Sequence, residues 1–414
     1  MKKLFIISAL LGAMLFTSCE DFLDVNYTKD SPISTSVDQV LPVATFYAAQ
    51  ICYDHAEYGV YLCQALTTLD KSQTGSYPYS QGWEFLGVNR HPMWRRHFYD
   101  LGANIQKMNE IAEEKGNYNA ILIGRTVMLM STMLTTDAFG DMPRSQVYQS
   151  NSPRYDTQAE VYEWMFQEVD ELLKLYQDPT WTNAPTNLLI NQKMDRIYAG
   201  DLSKWEAFCK GLKARLWLRK LPNWDNTPAV CQEIVRLVDD ALATWEEPQY
   251  HYPGGVTESN CPWGPYAPKI NSWESRDNRL ASSIPTTFFL HGILGGIDGQ
   301  YQLSRGYALD PRAAKIMEPR NDKTGMLHLE SNIGMDINNT IADFPDLLTQ
   351  SAKTNPLTSN TGYIPLMMTE ELMFIKAEAQ YWAGDRAGAG GVHVHAVVPG
   401  ADFVLHADAG LHQG

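Results

Sequence analysis

Cys19 is the first residue whose surroundings specify a reaction. Lys2 and Lys3 precede an apolar run from Leu4 to Phe16, and Thr17 and Ser18 stand directly before the cysteine. A short basic segment, an apolar stretch and a small residue ahead of a cysteine form the pattern cut by lipoprotein signal peptidase. Cleavage removes residues 1–18 and leaves Cys19 as an acylated N-terminus. The apolar run is shorter than the ~20 residues of a transmembrane helix. Lipid therefore does the anchoring, and at ~0.8 kcal/mol per buried CH₂ several acyl chains hold almost permanently. The other residues suited to a definite interaction are aromatic. They fall in two clusters, Tyr77, Tyr79, Trp83, Phe85, Trp94 and Tyr99, then Tyr250, Tyr252, Trp263, Tyr266, Trp273 and Tyr301. Asn89, Arg90 and Arg96 accompany the first, and Asn260, Asn271, Glu274, Arg276 and Asp277 the second. Flat rings with polar tips stack on the apolar faces of sugars, and amide or charged groups beside them add selectivity. Trp83 follows Gly82, and Trp263 lies between Pro262 and Gly264, so both sit among turn residues. Trp94, Trp164 and Trp205 fall in helical patterns and read as core.

Catalytic patterns are missing: the chain has no GxSxG, HExxH or P-loop sequence. A glycosidase needs two carboxylates ~5–10 Å apart across a cleft, which spacing in a sequence does not reveal. His393 and His395 alternate in "VHVH", but nothing near them completes a metal site. No cofactor is implied. The formal charge of −15 becomes −17 once Lys2 and Lys3 are removed, which argues against nucleic acid or anionic lipid as a partner. The cysteines beyond Cys19 are Cys52, Cys63, Cys209, Cys231 and Cys261, with no metal-type spacing. They read as free thiols, with a Cys52–Cys63 pair open if their helices allow it.

The elements that must position these residues are mostly helices. An acidic, turn-rich tether follows Cys19. Apolar residues then recur at helical intervals over 36–69, including Val40, Leu41, Ala44, Tyr47, Ala48, Ile51 and Cys52. The loop "KSQTGSYPYSQGWEFLGVNRHP" occupies 71–92. The spacing predicts helices over 93–115 and 118–136, hinged at Gly116-Asn117, with Gly124, Ser131 and Thr135 small enough for close contact. Further helices are predicted over 157–176, 202–220, 228–245 and 369–382. Asp201 is placed to cap the helix holding Trp205, and Arg215 and Arg219 lie one turn apart, ready for acidic partners. Pairs of helices in succession suggest tetratricopeptide-like hairpins. Between 246 and 365, Pro, Gly, Asn, Asp and aromatics replace periodicity, and a loop region of that length usually carries function.

Several segments together resemble the SusD/RagB family of Bacteroidetes outer-membrane lipoproteins, in its SusD-like second subgroup. They are "CEDFLDVN" from Cys19, "DAFGDMPRSQVYQ" from Asp137, "YDTQAEVYEWMFQEVDELL" from Tyr155, "DRIYAGDLSKWEAFCKGLKARLWLRK" from Asp195, "DPR" from Asp310 and "EELMFIKAEAQYWAGDRAGA" from Glu370. The resemblance implies an all-α fold, a tetratricopeptide-like scaffold of helical pairs with a large loop-rich insertion. It implies a non-catalytic surface lipoprotein on the outer membrane that passes oligosaccharide, or sometimes peptide, to a SusC-type TonB-dependent transporter. It also gives Glu20, Asp21 and Asp24 a role in export to the cell surface. The expected layout is a signal peptide over 1–18, a lipidated tether over 19–35, a nutrient-binding domain over 36–386 and an atypical tail over 387–414. The expected ligand contacts are Trp83, Trp263, Tyr77, Tyr79, Asn89, Tyr266, Trp273 and Arg276. The alternatives are peptide binding on the same scaffold, a surface glycoside hydrolase, and a scaffold that binds protein alone. Four of the ten histidines lie in the tail, while Tyr, Trp, Lys and Glu vanish from it. Members of the family usually continue further in helical pattern. The expectation is a frameshift near Ala389 and a marginally stable product, with Leu372, Phe374, Ile375 and Ala379 short of packing surface.

Overall fold

A helix persists where apolar side chains return every three to four residues and its end groups find partners, and both conditions recur along this chain. The computed structural model describes residues 35–63, 65–68, 92–221, 227–255, 259–263, 283–286, 289, 317–318, 346–347, 359–390, 395–398 and 401–404. Helix α1 (Val37–Leu62) buries Val40, Leu41, Ala44, Ala48 and Ile51. It stops short of the expected 69, and the chain passes into strand β1 (Leu66–Thr68).

The single helix expected over 93–115 is interrupted. It consists of α2 (Pro92–Arg95), a π-helical turn (Arg96–Gly102) and α3 (Ala103–Lys115). The wider turn buries Arg96, His97, Asp100 and Leu101 together, a re-aiming that a regular helix does not give. It also needs Gly102, where a Cβ would lie 2.0 Å from the Tyr148 hydroxyl oxygen. Gly116 ends α3 at φ +69 as expected of the hinge, donating to Ala112 and Glu113 carbonyls. Helix α4 (Tyr118–Phe139) follows, pressed against α3 where Gly124 faces Met108.

Helix α5 (Gln158–Tyr176) opens with a capping box between Thr157 and Glu160 and buries Val161, Met165, Val169, Leu172 and Tyr176. After the short α6 (Pro179–Thr182), α7 (Leu202–Lys220) is capped by Asp201, which accepts from Ser203 N at 3.0 Å and Lys204 N at 3.4 Å. Asp195, fully buried, accepts from Ile197 N, Gly200 N and Trp205 Nε1, each at 2.9 Å. Helix α8 (Thr227–Leu242) and α9 (Thr369–Trp382) complete the stack. Successive helices pack on one another from α3 through α4, α5, α7, α8 and α9, while α1 lies on α3 and α4. Arg215 joins α7 to Glu371 of α9 by two 2.7 Å bonds, and Arg219 pairs with Asp137 of α4. The all-α helical-pair architecture is thus present.

The strands are short: β2 (Gln249–His251), β3 (Ser283–Pro285), β4 (Met317–Glu318), β5 (Asp346–Leu347) and β6 (Tyr363–Pro365). Antiparallel pairs form between β1 and β3, β2 and β6, and β4 and β5. The β2–β6 pair closes the base of the 246–365 insertion, helped by Tyr252 N to Gly362 O at 3.0 Å and Cys261 N to Asn360 O at 2.9 Å. The insertion therefore leaves and rejoins the scaffold at one place.

Two expectations are corrected, and the reading of Cys52 and Cys63 as free thiols holds. Tyr250 and Tyr252 are core residues, 4% and 3% exposed, with Phe46 edge-on to both. Cys52 and Cys63 are free. Ten helical residues from Cys52 to Leu62 span about 15 Å, beyond disulfide reach. Leu372, Ile375 and Ala379 are buried, and of the four residues named above only Phe374 is exposed. In the tail, α10 (Arg386–Gly390) packs on α9, and β7 (His395–Val398) pairs with β8 (Ala401–Val404). Among the described residues, no helix is long and apolar enough to cross a membrane, and no His, Cys, Asp or Glu cluster suits a metal ion.

His97 supplies a pH test of the core. It is 2% exposed, with Nδ1 2.8 Å from Ser131 Oγ. Burial, with His55 nearby, pushes its pKa down from 6.5 to about 3. The folded protein holds it neutral, so the unfolded chain gains the proton first as pH falls below the ordinary histidine value. Stability is lost progressively from that point down to the folded value. The loss from this group is about 2 kcal/mol between pH 7.5 and pH 5, by linkage. In urea unfolding at the two pH values, His97→Gln should lack that component. An identical pH dependence in the variant would count against it.

Candidate ligand-binding site

Trp263 is the one expected ligand contact inside the described residues. Tyr77, Tyr79, Trp83, Asn89, Tyr266, Trp273 and Arg276 lie outside them, as does the lipidation residue Cys19. Trp263 is half-buried and packs against the core. Its ring stands edge-on to Tyr53 of α1 at 6.2 Å and 65°. Tyr53 in turn donates to Glu57 Oε1 at 3.3 Å. The turn holding Trp263 is secured just before it by the buried Cys261, through the bond to Asn360. Trp263 therefore has a fixed inner edge and a partly open outer one.

Segment 69–91 leaves β1 after Thr68, and segment 264–282 enters β3 at Ser283. In the antiparallel register Thr68 is the partner of Ser283. The remaining ends are Pro92, which starts α2 against α1, and Trp263, which rests on Tyr53 of the same helix. The described residues that flank these two segments thus meet at α1 and β1–β3. The sequence named both segments but carried no signal that their flanks meet, because that rests on a three-residue strand pair.

A charged strut joins the π turn to α1. Arg96 Nε donates to Asp54 Oδ2 of α1 at 2.6 Å, and its Nη1 reaches Asp100 Oδ2 at 3.5 Å. Its guanidinium lies 5.6 Å from the Tyr47 ring centroid. The Arg96 and Asp54 side chains are 6% and 0% exposed. Arg96, grouped with the first aromatic cluster in the sequence, is therefore a structural residue. Tyr252 likewise spends its hydroxyl inside, accepting from Gln50 Nε2 at 2.7 Å, and burial raises the Tyr250 phenol to about 12. Asn260, from the second cluster, is also buried.

A separate cleft of about 350 Å³ is lined, among the described residues, by Gln158, Ala159, Tyr162, Arg219 and Lys220. Sequence reading did not find it, since its walls come from the start of α5 and the end of α7. Asp137 occupies its polar groups, accepting from Tyr162 Oη at 2.5 Å and pairing with Arg219.

Comparison with known proteins places these features in a family. The SusD-like family description, starch-binding associating with outer membrane, matches residues 36–249. No curated protein matches the chain. Among solved structures, a SusD/RagB family protein from Bacteroides thetaiotaomicron is 21% identical with a TM-score of 0.61, over 86% of this chain and 69% of that one. A chitin-binding protein is 18% identical with a TM-score of 0.56, over 84% and 73%. A chitin-binding SusD homolog from Flavobacterium johnsoniae is 17% identical with a TM-score of 0.57, over 83% and 65%. At these identities the likeness to solved structures is one of fold.

The strut is testable. Arg96→Met leaves Asp54 and Asp100 as buried carboxylates without their shared cation, and breaking such a pair costs about 3–5 kcal/mol. Urea unfolding should show a loss of that size. A loss below about 1 kcal/mol, the worth of an exposed pair, would mean that Arg96 is no strut.

Proposed function

The chain belongs to the SusD-like family, and on that premise we propose that it captures oligosaccharides at the cell surface and delivers them to a partner TonB-dependent transporter, without cleaving them. The observation that carries the reading is the β1–β3 register, which pairs Thr68, just before the first aromatic-rich segment, with Ser283, just after the second, in a chain of a starch-binding family. Trp83, Tyr77, Tyr79 and Asn89 come from the first segment, and Trp263, Tyr266, Trp273 and Arg276 from the second and its edge. The aromatic rings stack on pyranose faces, and the amide and guanidinium groups bond ring hydroxyls. Two structural neighbours described as chitin-binding support a glycan as the ligand class. Cys19, acylated after loss of residues 1–18, holds the protein on the outer membrane beside the transporter.

Affinity electrophoresis through soluble starch and glycol chitin, with calorimetry on a glycan and peptide panel, tests the reading. Glycan retention without release of reducing sugar is expected. Peptide binding alone, or sugar release, would replace it with the corresponding alternative. Trp83→Ala should weaken glycan binding roughly threefold to tenfold, the loss of one stacking contact of ~0.5–1.5 kcal/mol. Unchanged affinity would remove Trp83 from the site. Trp263→Ala should weaken it as well, with a stability loss of about 1–3 kcal/mol from its packing on Tyr53.

The anchor has its own test. Cys19→Ser should abolish acyl labelling and move the protein from the membrane fraction to the soluble one. Retention in the membrane fraction would reject lipid anchoring at this residue.

A further inference from the structure

The helical scaffold carries an aromatic surface that the loop site does not use. Met93, Arg96 and His97 are buried, and the other side of α2 and the π turn presents Trp94 and Tyr99. Trp94 is half-buried and backed by Phe98 and Phe139, with ring centroids at 4.7 and 5.2 Å. The Tyr155 ring lies nearly parallel to Trp94, at 15° and 6.1 Å. Tyr155 nevertheless remains 61% exposed.

The mount of this ring is rigid. Asp156, the next residue, is 2% exposed and accepts from Arg144 N at 2.8 Å, Ser145 N at 2.7 Å and Ser145 Oγ at 2.7 Å. Its backbone exchanges two bonds with Met142, at 3.0 and 3.1 Å. Thr157 then begins α5 with its capping box. An exposed ring on a fixed backbone, aligned by a second ring, has already met most of the ordering cost that binding imposes. Two partly exposed guanidiniums belong to the residues next to Tyr155 and Trp94 in the chain. Arg154 is held by Asp156 at 2.7 Å, and Arg95 lies beside the Tyr99 ring at 5.8 Å. Parallel rings, with planar donors on the adjoining residues, match a pyranose, which offers an apolar face and a rim of hydroxyls.

We propose that Trp94 and Tyr155 form a second carbohydrate-stacking platform, built on the helical scaffold and taking one pyranose ring of a long glycan, with Arg95 and Arg154 donating to its hydroxyls. The inference rests on the glycan-binding reading above and adds a site outside the two aromatic segments. A platform of this kind contributes to long chains that reach both places, and not to short ones held by the loop site alone.

The test compares the full chain with its Tyr155→Ala and Trp83→Ala variants in gels containing soluble starch or glycol chitin. Calorimetry with two- to three-ring fragments of each glycan accompanies them. Tyr155→Ala should weaken polysaccharide binding roughly threefold to tenfold and leave short-fragment affinity unchanged. Retention equal to wild type, while Trp83→Ala loses binding, overturns the platform and spares the proposed function. Equal weakening for short and long ligands puts Tyr155 in the loop site and overturns a separate platform. No retention of the wild type by either glycan overturns both readings. A second measurement needs no variant: tetranitromethane nitration of Tyr155 in the wild type, read by peptide mass spectrometry. Bound polysaccharide should shield Tyr155, and equal nitration in bound and free protein would overturn the platform.

Discussion

The buried pair between Arg96 and Asp54 is the interaction on which the binding half of the molecule depends. Charges this deeply placed are a net cost unless each is met, and each is met here by a residue of another element or turn. The pair pins the π turn to α1. That sets Met93 and His97 inward and leaves Trp94 and Tyr99 outward. Arg96 also lies one turn after Pro92, the first described residue beyond the first aromatic segment. Loss of Arg96 therefore reaches the Trp94 surface without touching it.

The remainder of the scaffold is held by a different logic. Helices α3, α4, α5, α7, α8 and α9 each bury an apolar stripe against their neighbours, so stability accumulates along the stack. Charged ties such as Arg215 to Glu371 and Arg219 to Asp137 also draw α7 toward α9 and α4. The insertion between Glu246 and Pro365 interrupts the run of helices between α8 and α9. Loop-closure entropy grows only with the logarithm of length, and the β2–β6 pair with the buried Tyr250 and Tyr252 closes it at the base. A scaffold so closed tolerates segments of varied sequence, which is what ligand specificity requires of its loops.

Rigid and variable aromatic surfaces then divide the work. Trp263 and the two aromatic segments are the surface proposed to change with the ligand. Trp94 and Tyr155 are fixed by Phe98, Phe139 and the bonds of Asp156. Both surfaces suit the same chemistry, a flat ring against a sugar face, and they differ in which part of the chain holds them.

By itself the sequence determined the helices whose signals are local. The Thr157–Glu160 box, the Asp201 cap and the apolar stripe of Val161, Met165 and Val169 act over three or four residues, and α5, α7 and α9 begin and end close to their predicted positions. Loop composition likewise marked the aromatic segments. Only the tertiary structure decided burial and convergence. Tyr250 and Tyr252 read as loop aromatics but became core once Phe46 and Gln50 met them. The π turn interrupts a periodic run because its carbonyl at Phe98 takes the hydroxyl of Tyr148, fifty residues away. Tyr155 carried no sequence signal, since its exposure depends on Trp94. Hydrogen bonds and periodicity repeat within a helical turn and can be read in order along the chain. Burial is a property of what arrives from elsewhere, and it exists only after the chain has closed.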